Sequence, residues 1–149
     1  MISIQQEDFS LVVEYEKLKA DAPKIGAIVT FTGLVRDLND DEEVTGLFLE
    51  HYPGMTEKVL AQLIEDAKQR WPILNARIIH RVGALKASDQ IVFVGVNSEH
   101  REAAFAACEF LMDFLKTKAP FWKREQRESG DTWVDAKTTD QERATRWHS

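Results

Sequence analysis

Apolar positions along the chain recur either at every second residue or at every third to fourth, and the order of these two periods sets the expected elements. Ile2 and Ile4 alternate with polar neighbours as a short strand does. Ser10 stands where an N-cap would open a short helix carried by Leu11, Tyr15 and Leu18. Residues 27–35 alternate again, with Ala27, Val29, Phe31 and Val35 on one face and Thr30 and Thr32 on the other. That is a half-buried strand, and it hands Arg36 to a loop. Residues 37–43 are acidic without an apolar period, so their self-repelling carboxylates are expected to stay solvated and mobile. A further strand is expected over residues 45–52.

Pro53-Gly54 breaks that strand, and Met55, Val59, Leu63 and Ala67, with Leu60 and Ile64, set a helical stripe that stops at Trp71-Pro72. Residues 76–82 and 90–96 are rich in β-branched side chains and predict two adjacent antiparallel strands joined by a loop over residues 83–89. Ser98 is a candidate N-cap for a long helix with Ala104, Cys108, Leu111 and Leu115 as its stripe, reaching Lys118 before Pro120. Phe105, Phe110, Met112 and Phe114 are expected in the core, with Met112 also able to line a pocket. Residues 121–125 and 132–134 can pair as a hairpin around Ser129-Gly130, and Thr139-Asp140-Gln141-Glu142 reads as a capping box opening a last short helix. Helices interleaved with consecutive strands predict an α+β fold with a mixed or antiparallel sheet, one long helix and several shorter ones.

The length of 149 residues fits a single domain over 1–149. With 19 Lys+Arg against 25 Asp+Glu the net charge is −6, which argues against a general nucleic-acid binder. No apolar run is long enough to span a membrane and no leader pattern opens the chain, so a cytoplasmic protein is expected. One cysteine, Cys108, excludes an internal disulfide and a Cys-rich zinc site, and its place in an apolar stripe predicts an inert thiol. Glu50-His51 and His80-Arg81 lie inside strands, where a histidine is usually a hydrogen-bonded core or surface residue. No histidine pair stands at helical spacing with a supporting carboxylate, so no metal is expected. A Gly-rich phosphate loop and a Gly-x-Ser-x-Gly elbow are both lacking.

Against this acidic background, residues 116–127 carry five basic side chains and one acid. A lysine at a helix end is ordinarily solvated, but Pro120-Phe121-Trp122 between Lys116 and Lys123 is an apolar segment able to dry the site and hold the two amines near each other. A lysine that is desolvated or set beside another cation loses its proton more readily and becomes a nucleophile or base. Lys116 and Lys123 are the candidate catalytic residues. His100-Arg101 in the first turn of the long helix can clamp an anion, and Arg36 is a third candidate phosphate contact. Polar first-turn residues and an Arg36 pair with Asp37 are the plainer readings of the same positions.

Residues 31–36 (Phe-Thr-Gly-Leu-Val-Arg), 50–55 (Glu-His-Tyr-Pro-Gly-Met), 80–83 (His-Arg-Val-Gly), His100-Arg101 and 115–125 (Leu-Lys-Thr-Lys-Ala-Pro-Phe-Trp-Lys-Arg-Glu) together resemble the large, catalytic subunit of molybdopterin synthase, over residues 27–147. The resemblance implies an α/β-hammerhead type of fold and a sulfurtransferase of molybdenum cofactor biosynthesis. Cyclic pyranopterin monophosphate would receive two sulfurs from the C-terminal thiocarboxylate of a small ubiquitin-like subunit, giving the dithiolene. It implies a homodimer within a heterotetramer, and no cofactor. By motif, Lys116 and Lys123 match the active-site lysines and Arg36, His100 and Arg101 its anion-binding groups. Leu34, Val35, Arg124 and Glu125 would complete the substrate wall, with Phe31, Met112 and Lys137 as further pocket candidates. Lys137 stands where relatives carry an arginine reaching the neighbouring protomer, and a lysine lacks that fork. Two other readings compete: a binding module in which Phe121-Trp122-Lys123-Arg124 stacks on single-stranded nucleic acid, and an inactive homologue kept as a scaffold.

Overall fold

The computed structural model describes residues 1–39, 42–127, 132–134 and 138–148. Along them run β1 (Ile2–Gln5), α1 (Leu11–Lys19), β2 (Ala27–Leu34), β3 (Leu38–Asn39), β4 (Glu42–His51), α2 (Met55–Arg70), β5 (Ile73–Arg81), β6 (Gly83–Lys86), β7 (Gln90–Ser98), α3 (Arg101–Thr117), β8 (Phe121–Arg127), β9 (Thr132–Val134), α4 (Thr138–Thr145) and a 3-10 turn, Arg146–His148. One sheet has the order β1-β5-β7-β2 and the other β3-β4-β8-β9, with β6 also paired to β4. Only β1 and β5 pair in parallel among these strands, so the sheets are mixed and mainly antiparallel, as the order of periods predicts.

The central strand β7 is buried from Ile91 to Ser98, and a strand with no wet face needs cover on both sides. On one face Phe93 packs with Ile79 and with Leu18 of α1. Gly95 allows that approach, because a Cβ there would stand 2.5 Å from the Leu18 Cδ1. On the other face Val92, Val94 and Val96 meet α2 through Leu60, Leu63, Ile64 and Ala67, and α3 through Ala107, Cys108, Leu111 and Leu115. The predicted stripe of α3 is therefore buried, and so is that of α2 except at Met55, 47% exposed in its first turn, and Val59, which is half-buried. Helix α2 starts where Gly54 takes φ +84° and donates its N–H to Glu57 Oε2 at 3.0 Å, and it stops before Pro72.

Several local expectations give way to packing. The segment read as a loop over 83–89 contains β6, which adds to β4 with Leu85 buried. The acidic stretch is partly ordered: Leu38 pairs with Glu43 and Asn39 with Glu42, since turning back as a hairpin satisfies the backbone that the carboxylates leave free. Ser98 is not an N-cap; it ends β7, fully buried, with its Oγ donating to the His100 carbonyl, and His100 is the N-cap without a side-chain bond. Phe105 lies 61% exposed, one residue (about 100° of helix) past the buried Ala104. In α1 the buried positions are Glu14 and Leu18, whereas Leu11 and Tyr15 face outward, because Glu14 Oε1 receives Arg77 Nε at 2.5 Å. Phe31 is exposed and Val35 buried, the face switching at the register shift between Gly33 and Leu34. Helix α4 begins at Thr138, so Thr139 lies inside it and does not cap it. The hairpin of β8 and β9 forms as predicted, while its turn at Ser129-Gly130 lies outside the described residues.

The chain end is pinned to the C-terminal half of α3. Asp113, buried, receives Arg146 Nη2 and Trp147 Nε1, each at 2.7 Å, and the Trp147 ring meets Trp71 and Phe110 edge-on. The two sheets meet at His80 of β5, whose ring stacks on Phe121 of β8 at 4.0 Å between centroids. Burial, followed by the Lys123, Lys116 and His51 charges, drives the His80 imidazole down to about pKa 3, against an opposing bond to the Arg81 carbonyl.

Two measurements test this frame. Trp147→Ala should lower unfolding stability by about 2 kcal/mol, below the ~3–5 of a fully enclosed tryptophan because Trp147 is only half-buried, as read by urea denaturation. An unfolded histidine takes its proton near pH 6.5 and folded His80 only near 3, so its contribution is complete above 6.5 and fades as pH falls toward 3. Wild type should accordingly lose up to about 5 kcal/mol more than His80→Phe between pH 6.5 and 3; equal losses in urea midpoints would contradict a neutral buried imidazole.

Candidate functional site

Helix α3 ends at Thr117, and a tight turn in which Phe121 N–H reaches the Ala119 carbonyl at 2.9 Å sends the chain back as β8. This reversal brings Lys116, in the last helical turn, and Lys123, on the strand, to the same end of the molecule. In β8 Phe121 pairs with His51 and Lys123 with Leu49 of β4. Residues two apart share a face of a strand, and Leu49 is 1% exposed, so Lys123 springs from the inward face of this sheet. Lys123 is half-buried and Lys116 exposed. Both act on His80, which is the largest buried titratable side chain beside them.

The His80 ring is fixed at one edge and on one face. Its Nδ1 lies 2.9 Å from the Arg81 carbonyl, which can only accept, so Nδ1 carries the hydrogen and Nε2 holds the lone pair. Phe121 covers one ring face, and the His51 ring stands 6.3 Å beyond Phe121. His51 is itself held by Thr56 Oγ1 at 3.3 Å, and Glu57 Oε1 lies 3.8 Å from its Nδ1. The apolar cover expected from Pro120-Phe121-Trp122 is thus supplied at Phe121. Of the two readings open to a strand histidine, hydrogen-bonded core or surface residue, His80 takes the first, and the sequence assigns neither it nor His51 to the site. The available signal lay at His51 alone, which ends β4, the strand that pairs with the basic segment of β8, whereas β5 with His80 pairs with β1 and β7.

Arg36 belongs to the same end. His80 is level with Val92 of β7, and Val92 with Gly33 of β2, so the segment leading to Arg36 begins two strands, about 10 Å, from His80. Val35 is buried, its N–H donating to the Asp89 carbonyl and its carbonyl receiving Ser88 N–H, which aims the exposed Arg36 outward. Among the described residues Arg36 makes no ion pair, with Asp37 or otherwise. Leu34, 55% exposed, and Phe31, 41% exposed, flank it on β2. Met112 is half-buried against the main core. Arg124 and Glu125 are placed by backbone only, opposite Phe48 and Leu47 of β4, and Lys137 lies outside the described residues.

His100 and Arg101 do not join this group within one chain. They follow Ser98, at the far end of β7, six residues or about 20 Å from the Val92 row. Along α3, Arg101 and Lys116 are 15 residues apart, about 22 Å. Both side chains are exposed, with His100 Nε2 lying 3.6 Å from Glu99 Oε1. An open cleft at that end is lined by Pro23, Lys24, Ile25, Gly26, Leu74 and Glu99, and it includes none of the lysines of the site. Among the described residues no cluster of His, Cys, Asp and Glu could hold a metal ion, and no helix is long and apolar enough to cross a membrane. Cys108 is buried, its thiol pushed up to about 12 by desolvation and then by Glu109.

Comparison with known proteins agrees with the resemblance read from the motifs. The family model described as MoaE protein matches residues 4–118. The molybdopterin synthase catalytic subunit of Vibrio cholerae is 54% identical over 146 residues, covering 98% of this chain and 97% of that protein. A solved structure of the molybdopterin biosynthesis MoaE protein from Burkholderia ambifaria superposes with a TM-score of 0.86 at 50% identity, covering 100% of this chain and 98% of that one. The crystal structure of molybdopterin synthase from Staphylococcus aureus gives 0.82 at 34% identity, covering 89% and 95%. Likeness of this order runs through both sheets and every helix that shapes the lysine-bearing end, and on it the chain belongs to the MoaE family, the catalytic subunits of molybdopterin synthase, enzymes of molybdopterin biosynthesis.

Proposed function

We propose that this chain transfers sulfur from the C-terminal thiocarboxylate of a small ubiquitin-like partner subunit to cyclic pyranopterin monophosphate, building the dithiolene with Lys116 and Lys123 as catalytic residues. The observation that carries this reading is the convergence of both lysines on the buried, neutral His80 in a chain of this family. The word subunit in the relatives' names implies a second kind of chain, and the acceptor for its tail is the inward face from which Lys123 rises. The full length of 149 residues works as one domain, in the cytoplasm.

Chemically, the thiocarboxylate sulfur attacks a side-chain carbon of the pterin and displaces the oxygen substituent held there, as phosphate ester oxygen or as water. A water molecule then cleaves the acyl–sulfur bond, its oxygen joining the acyl carbon so that the tail leaves as a carboxylate and the sulfur stays on the pterin. A second thiocarboxylated tail supplies the second sulfur in the same way. Lys116 meets the tail's terminal carbonyl, where an ammonium stabilises the oxyanion of that cleavage or a free amine takes the acyl group transiently. Lys123 handles protons on the pterin. Arg36 holds the substrate phosphate, with Leu34, Val35, Arg124 and Glu125 forming the wall and Phe31, Met112 and Lys137 at its margin. Since His100 and Arg101 stand about 20 Å away in the same chain, they serve the site of a second copy in a homodimer, which carries one small subunit on each protomer. The nucleic-acid reading loses ground here, because the Phe121 face it needs for stacking on bases is taken by His80.

Replacing Lys116 or Lys123 by Ala should cut dithiolene formation at least ~100-fold with a purified thiocarboxylated small subunit and the cyclic pterin phosphate, while melting temperature stays near wild type. Wild-type turnover by either variant would reject the assignment, and an inert wild-type chain would favour the scaffold reading. The shared site has its own signature. Arg36→Ala and Arg101→Ala should each be nearly inactive, yet a mixture refolded into hybrid dimers should regain roughly a quarter of wild-type activity, one site in each hybrid being intact.

A further inference from the structure

We propose that His80 is a positioning residue for sulfur transfer: in the assembled, loaded synthase its Nε2, a lone pair that meets no donor in the isolated chain, accepts a hydrogen bond from the Lys123 amine and holds that amine in its working place. The inference rests on the lysine reading above and extends it to a residue that touches neither substrate nor tail.

Four observations meet at this ring. The Arg81 carbonyl takes the hydrogen on Nδ1 at 2.9 Å, so the tautomer is settled and Nε2 must be an acceptor. Among the described residues Nε2 has no hydrogen-bond partner, although His80 is only 5% exposed. A buried acceptor without a donor is costly, and a donor reaching it gains accordingly. Phe121 stacks on the ring at 4.0 Å and shares its strand face with Lys123, so the element that covers His80 also carries the amine. The groups that face the ring from the packed elements are Lys123 of β8, Lys116 of α3 and His51 of β4, all donors when charged. Burial and those charges hold the ring far below its usual pKa, at about 3, so near neutrality it accepts and does not compete as a cation.

The test uses the assembled synthase with thiocarboxylated small subunit and three substitutions. His80→Phe keeps the stack but removes both nitrogens. His80→Asn keeps a donor for the Arg81 carbonyl only, and His80→Gln places an amide near the Nε2 position. Phe and Asn should lower kcat roughly tenfold or more with KM for the small subunit unchanged, and should move the lysine limb of the pH–rate profile about one unit toward acid, since a lost acceptor disfavours the ammonium. Gln should restore rate and profile. Wild-type kcat and pH profile in all three, or losses that only follow melting temperature, would overturn the proposal while leaving the lysine assignment standing; full activity of Lys123→Ala would remove both. Should the His80 variants not fold, the ¹⁵N resonance of Nε2 decides. It should shift between wild type and Lys123→Ala while Nδ1 stays, and an unmoved Nε2 resonance overturns the proposal.

Discussion

An imidazole kept neutral by burial is the constraint from which the rest of the site follows. His80 sits where β5 meets β8, and the stack on Phe121 is a direct contact between the two sheets. A protonated ring there would face desolvation together with Lys123, Lys116 and His51, so the fold tolerates only the uncharged form. The junction can therefore gather cations around itself without adding another. A lysine on the inward face of β8, opposite a fully enclosed Leu49, is tolerable for the same reason: its neighbours offer a lone pair and aromatic faces.

The sheet also decides which cations can cooperate. Antiparallel pairing of β2 with β7 and of β7 with β5 puts Gly33, Val92 and His80 in one row, so Arg36 emerges at the lysine end. The same pairing puts Ala27 beside Ser98, which sends His100 and Arg101 to the other end. Strand length, about 3.3 Å per residue, thus separates His100 and Arg101 from the lysine end within one chain, whatever the particular side chains.

Much of the fold was legible in the sequence because its signals are local. The stripe of α3, that of α2 beyond the exposed Met55, and the β-branched runs of β5 and β7 supply the buried positions observed. Misread segments are those where a tertiary partner overrides the local pattern. Gly83–Lys86 becomes a strand because β4 offers it an edge, Ser98 is drawn into the sheet, and Glu14 turns α1 over by pairing with Arg77. Lys116 and Lys123 stand out by charge and flanking apolar residues, and the turn after α3 puts both at the end of the molecule where His80 is buried. His80 does not, since a histidine in an alternating strand looks alike whether it is filler or fulcrum. The distance between His100 and Lys116 could have been read from the sequence: both were placed on one helix, and about 1.5 Å per residue already separates its ends.

Charge distribution makes a final link between scaffold and chemistry. The chain is acidic overall, at −6, yet Arg36, Lys116 and Lys123 gather at one end over a low-dielectric floor of Phe121 and His80. Positive charge gathered on one face of an acidic protein focuses its field where the neighbouring surface is dry, favouring anions there while the remaining surface repels them. The pinned chain end contributes to the same geometry. Asp113 lies one turn before Lys116 and is occupied by Arg146 and Trp147, so the last turns of α3 are braced by groups that neutralise that carboxylate. Left unpaired, Asp113 would offer Lys116 a competing partner three residues away on the same helix. Engaged as it is, it makes no ion pair with Lys116 among the described residues, and the C-terminal contact thereby shapes the charge of this end as well as its stability.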